Sequence, residues 1–216
     1  TADAQQNAEF EFDVLDALLP NQDLIYTNWF NTDCLATYYS TEIFSEEYWR
    51  IVENYLKVAC EHGMNMVLTP IFTPPLDTKR GKERPTVQLI GVEYSDSKYK
   101  FDFSKLDRWI DMCERAGIKY FEMSHLFTQW GAKRCPKIIA KVNGAEKRIF
   151  GWNTRASGKK YRAFLSALAP ELKAYLKNKG IDKRTDFHVS DEPMKIVHKS
   201  YRKASDIVKE LYSEFE

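Results

Sequence analysis

Residues 63–72, Gly63-Met-Asn-Met-Val-Leu-Thr-Pro-Ile-Phe72, decide how this chain is read. A glycine able to take the left-handed backbone that ends a helix is followed at once by a short apolar run. A run of that length, bounded by a glycine and by prolines, reads as a buried strand. Upstream, Tyr48, Ile51, Val52, Tyr55, Leu56 and Ala59 share one face at helical spacing. Ser45 is a good N-cap for that helix, with Glu46 and Glu47 in the first turn, where the helix dipole favours acids.

The same unit recurs on both sides. An earlier strand reads Asp23-Leu-Ile-Tyr-Thr-Asn-Trp-Phe30. A second helix opens at Ser104, turns Leu106, Trp109, Ile110 and Cys113 inward and stops at Gly117, leading into a strand over Ile118–Ser124. A third begins near Ser157 and stacks Tyr161, Phe164, Leu165, Leu168, Leu172 and Leu176. Pro170 is expected to kink or split it, Gly180 to end it, and a fourth strand to follow over Thr185–Ser190. A last helix spans about residues 199–214. Two hairpins decorate the loops: residues 86–92 with 99–103, and residues 137–150 turning at Asn143-Gly144, a strong two-residue turn signal.

Strands alternating with helices imply an α/β fold with a parallel sheet. The decorations all follow strands, the habit of a (β/α)₈ TIM barrel, whose active site is built on the strands' C-terminal ends. The chain is therefore expected to cover roughly the first four units of such a barrel, over residues 21–216. Residues 1–20 read as a tail strand of a preceding β domain, or as a linker. A part-barrel leaves sheet edges to cover, which favours a homodimer through those edges.

With 44% hydrophobic residues and 14% aromatics, the composition is that of a globular chain. A net charge of +1 gives no electrostatic case for nucleic acid or an anionic membrane, and no apolar run is long enough to span a bilayer. Cys34, Cys60, Cys113 and Cys135 are scattered, so free thiols are expected and a zinc site is disfavoured. Reduced cysteines and the lack of a visible signal lean toward the cytoplasm over export. No glycine-rich phosphate loop follows the first strand, and no cofactor is expected.

Each strand end carries groups suited to sugars: Trp29 and Asp33, then Asp77 and Arg84, then His125, Gln129 and Trp130, then His188, Asp191 and Glu192. Aromatic rings stack on apolar pyranose faces while carboxylates and amides take hydroxyls. Glu192 precedes Pro193, which disfavours helix and points to an extended backbone. Adjacent acids are useful when one stays ionised and the other donates a proton, although such a pair also caps helices. Glu122 reads equally as a third acid or as a buried ion-pair partner, and His188 as a core or supporting histidine.

Three segments carry a resemblance: Leu68-Thr-Pro-Ile-Phe-Thr-Pro-Pro-Leu-Asp77, Phe121-Glu-Met-Ser-His-Leu-Phe-Thr-Gln-Trp-Gly-Ala132 and Phe187-His-Val-Ser-Asp-Glu-Pro193. Together they resemble glycoside hydrolase family 123, from about Asp23 to the C-terminus. The resemblance implies a bacterial glycosidase cleaving terminal β-linked N-acetylgalactosamine on a (β/α)₈ barrel, with the substrate's own acetamido group as nucleophile. On that scheme Asp191 orients and polarises the acetamide, and Glu192 is general acid and base. Trp29, Asp33, Asp77, His125, Gln129 and Trp130 are the expected substrate contacts, by their place at the strand ends. The alternative is an inactive fragment or a non-catalytic carbohydrate-binding module of the same fold.

Overall fold

The structure, a computed structural model, describes residues 8–17, 24–76, 78–79 and 81–213. Its centre is a parallel sheet of β1 (Met66–Thr69), β4 (Tyr120–Met123) and β7 (Thr185–Phe187), in the order β1-β4-β7. The run in Gly63–Phe72 thus supplies the first strand of the core, and all four residues of β1 are buried.

The expected strand over residues 23–30 is reduced to a single parallel bridge, Thr27 to Met66. Asn65 is the reason its backbone still lies alongside. The Asn65 side chain accepts from Tyr26 N at 2.8 Å and donates to Leu24 O at 2.9 Å. An amide that pairs with the neighbouring backbone replaces ladder bonds that a regular strand would make. Instead of continuing, the chain turns into a short helix the sequence had not announced, α1 (Thr32–Tyr38).

The helices cover the sheet as their apolar faces require. α2 (Glu46–Glu61) starts where Ser45 Oγ accepts from Tyr48 N at 3.2 Å, and Gly63 has the expected positive φ of 94°. α3 (Ser104–Ala116) ends on Gly117 at φ 110° and buries Trp109, whose indole N–H donates to Thr69 Oγ1 of β1 at 3.3 Å. Burying an aromatic of that size contributes about 1.5–3 kcal/mol. α4 (Lys159–Lys179) runs unbroken through Pro170, against the expected split. Pro170 is exposed, so its ring meets solvent while Leu168, Ala169 and Leu172 keep the buried face intact. α5 (His198–Tyr212) closes the described chain, with Tyr212 stacked on Phe187 at 4.2 Å.

The two hairpins form as expected, β2 (Gly91–Ser95) with β3 (Lys98–Asp102), and β5 (Ile138–Val142) with β6 (Ala145–Phe150). The first strand of the former starts later than the sequence placed it, and its turn is Asp96-Ser97, both at positive φ. Nothing in the sequence announces that the hairpins join. β2 pairs in parallel with β5, making one sheet in the order β3-β2-β5-β6. Phe164 of α4 ties this sheet to the core, packing its ring against Phe72, Tyr99, Phe101 and Phe150. The result is a mixed α/β fold. No helix among the described residues is long and apolar enough to cross a membrane.

Candidate active site

The site is built on two loops that zip together, one after β4 and one after β7. The β4 loop is knotted by its own backbone: Thr128 N donates to Arg134 O at 3.0 Å, and Ala132 N to Thr128 O at 3.1 Å. Trp130, Gly131 and Ala132 all take positive φ, at 60°, 109° and 55°. Gly131 is required there, since a Cβ would stand 2.3 Å from a methyl of buried Val197. Ser200 at the start of α5 donates to Gly131 O at 2.6 Å, which pins the bend.

The β7 loop docks on that knot. Ser190, buried, donates its hydroxyl to Thr128 O at 2.8 Å, and Trp130 N donates to Asp191 O at 3.2 Å. The side chains then converge. Gln129 Nε2 donates to Asp191 Oδ2 at 3.0 Å and to Glu192 Oε2 at 3.1 Å. The Trp130 indole donates to the same Glu192 oxygen at 2.8 Å. Neighbouring residues on a strand point to opposite faces, yet here one amide holds both acids.

The backbone of Glu192 explains how. Its φ is 48°, the left-handed region and not the extended form expected before Pro193. A residue before proline is disfavoured in such a conformation, which costs on the order of 1–3 kcal/mol. The bonds from Gln129 and Trp130 offset it and turn Glu192 toward Asp191.

A second group lies at the ends of the same strands. Glu122 of β4 accepts from the Trp29 indole at 2.7 Å on Oε2 and lies 3.0 Å from His188 Nδ1 on Oε1. His125 packs against both, its ring 5.2 Å from Trp29 and 4.3 Å from His188. Burial, and then the neighbouring His188, push the His125 imidazole down to about 3, so the ring is neutral. The donor atoms of Glu122, His125 and His188 all lie within 4.8 Å of one another, a set able to hold a metal ion. No ligand spacing marks these three residues in the sequence. The sheet supplies it instead, by bringing His188 beside Glu122 through β4–β7 pairing.

Of the residues singled out in the sequence, Trp29 and His125 therefore share one cluster, and Gln129, Trp130, Asp191 and Glu192 another. Glu122 and His188, left undecided by the sequence, belong to the first. Asp77 lies outside the described residues. Asp33 goes elsewhere: its carboxylate is buried and taken by Arg84, whose Nε and Nη2 donate to Oδ2 and Oδ1, each at 2.9 Å. Arg84 also donates to Leu76 O at 3.0 Å, and Lys137 Nζ donates to Arg84 O. Both Asp33 oxygens thus fasten the loop after β1.

Paired acids, amide and indole donors and partly exposed tryptophans thus gather at the strand ends of a parallel sheet. The sequence profile of the glycoside hydrolase 123 catalytic domain matches residues 29–216, and the chain belongs to that family. No curated protein matches the sequence. Among solved structures, the chain is similar to a family 123 glycoside hydrolase from Clostridium perfringens, described for its hydrolysis of glycolipid glycans. The TM-score is 0.63 at 18% identity, over 87% of this chain and 32% of that one. The chain thus spans about a third of the length of that relative, and the likeness at this identity is one of fold.

Proposed function

We propose that this chain is the acid-bearing part of a glycosidase that removes terminal β-linked N-acetylgalactosamine with help from the substrate's acetamido group. The observation that carries the reading is Gln129 Nε2 reaching Asp191 at 3.0 Å and Glu192 at 3.1 Å. Acids held on one side of a sugar suit substrate assistance better than a nucleophile and an acid placed across the ring.

In the proposed reaction the acetamide oxygen attacks C1 while Asp191 accepts the acetamide N–H and stabilises the positive charge that develops. Glu192 gives its proton to the glycosidic oxygen, and the leaving group departs as an alcohol. Water then attacks C1 of the oxazolinium, loses its proton to Glu192, and the acetamide is restored with retained configuration. Trp130 and Trp29, both more than a third exposed, offer flat faces for the sugar. Gln129 is the polar contact proposed beside them, and buried His125 supports the Trp29 ring edge-on. Within the same reading the chain contributes the leading units of a (β/α)₈ barrel, residues 21–216, whose open edges a second copy can cover. Likeness to the clostridial enzyme makes a glycolipid-type glycan the first substrate to try.

The test is titration of the 216-residue chain with a thiazoline derived from N-acetylgalactosamine, which imitates the oxazolinium. Asp191→Asn should weaken it by roughly 10–100-fold, the value of a charged hydrogen bond. Equal binding by Asp191→Asn, or no binding by folded wild type, overturns the assignment. Tight binding of the intact glycan without turnover favours the carbohydrate-binding alternative.

A further inference from the structure

We infer that Glu122, His125 and His188 form a binding site for one divalent transition-metal ion of the zinc type. The starting point is His125. It is completely buried, and neither ring nitrogen has a hydrogen-bond partner among the described residues. Buried polar groups in folded proteins are nearly always paired, and leaving one unpaired costs about 1–3 kcal/mol. A histidine that merely fills the core would turn one nitrogen to a backbone carbonyl or a hydroxyl. His125 has His188 and Trp29 as ring neighbours instead.

The donor set fits. Two imidazoles and one carboxylate suit zinc and its first-row neighbours, whereas calcium and magnesium call for a cage of oxygens. All three donor atoms lie within 4.8 Å of one another. Ligands around a tetrahedral zinc with bonds of about 2.0–2.1 Å sit about 3.4 Å apart, so small side-chain rotations close the set. Glu122 Oε1 and His188 Nδ1, at 3.0 Å, already lie within that separation.

The surroundings fit as well. Metal-binding carboxylates are commonly held by an outer hydrogen bond that fixes which oxygen faces the ion. The Trp29 indole does this at Glu122 Oε2, leaving Oε1 toward His188. The His188 side chain is 38% exposed, so the fourth position opens to solvent. Three protein ligands and one open position allow the ion to take a water or a sugar hydroxyl. The ion would tie the end of β4 to the end of β7. Asp191 and Glu192 take no part, and zinc uptake is read without sugar, so the metal site and the hydrolase reading are tested separately.

The experiment is calorimetric titration of the chelator-treated, dialysed chain with Zn²⁺, alongside Glu122→Gln, His188→Gln and Asp191→Asn. The expected result is one ion per chain with a Kd of about 1 µM or tighter. Loss of either ligand should weaken it at least tenfold, and Asp191→Asn should bind as wild type does. Co²⁺ in place of Zn²⁺ should give visible absorption without a sulfur-to-cobalt band, which separates this site from the free cysteines. Added Zn²⁺ should raise the melting temperature of wild type but not of His188→Gln, a comparison that needs only protein folded at the start of the scan. No binding by folded wild type, or equal affinity in wild type and both ligand variants, overturns the inference. Weakened thiazoline binding by Asp191→Asn with no zinc uptake would refute the metal site while leaving the hydrolase reading in place.

Discussion

Replacing Arg84 by methionine puts a cost on the pairing that removes Asp33 from the site. The substitution keeps the stem but leaves a carboxylate whose side chain is 5% exposed without its two charged hydrogen bonds. Breaking a buried ion pair from one side costs about 3–5 kcal/mol, mostly through the stranded charge. Lys137, which donates to Arg84 O and feels the Asp33 charge, can offset part of this, so about 3 kcal/mol is expected. In a chain of this size that lowers the melting temperature by about 6–12 °C. The double variant Asp33→Leu/Arg84→Met removes both charges and should recover most of the loss, with a coupling of about 2–3 kcal/mol. Urea denaturation of the four proteins measures the cycle, and thiazoline titration of the double variant follows. An Arg84→Met stability within about 0.5 kcal/mol of wild type would refute the reasoning. So would a stable double variant that no longer binds ligand, because Asp33 would then be a sugar contact.

Gly131→Ala should cost about 2–5 kcal/mol, from a left-handed φ combined with overpacking against Val197. Adding Val197→Ala should not rescue it, because the Val197 Cβ alone would lie 2.4 Å away; recovery of stability in that double variant counts against the steric account. Pro170→Ala restores a backbone donor on the exposed side of α4 and should stabilise by about 1–3 kcal/mol in urea denaturation. In metal-free buffer, stability should fall as pH drops below about 6.5, because His125 is protonated in the unfolded chain but not in the folded one until about 3. The expected loss between pH 6.5 and 5 is about 2 kcal/mol more than for His125→Asn, read from urea midpoints. Parallel curves for the two proteins would show that the His125 ring is not held neutral.

The local part of this fold was legible. Ser45, Gly63, Gly117 and Gly180 punctuate helices by capping chemistry that acts within a few residues, and Asn143-Gly144 turns its hairpin for the same reason. Asp191 and Glu192 stood out because adjacency is visible in one dimension. The remainder depends on groups brought together from afar. Asn65 pairing with the backbone around Tyr26 turned an expected strand into a bridge. The Glu192 backbone contradicts its pre-proline preference because Gln129 and Trp130 reach it from another loop. Likewise, Glu122 and His188 carry no signal until β4 and β7 lie side by side.

The union of the two hairpins also bears on the order in which the chain assembles. Each hairpin closes on itself over a few residues, an event of about 1–10 µs. Their joining pairs Glu93 with Lys141 and Tyr94 with Val142, partners far apart in the chain, with Asn143 N to Tyr94 O at 3.4 Å at its end. Long loops must close before such contacts form, so this seam follows the closing of each hairpin. The β1–β4 and β4–β7 pairs close longer loops still, Met66 with Tyr120 and Phe121 with Thr185, so the core sheet carries the same late step.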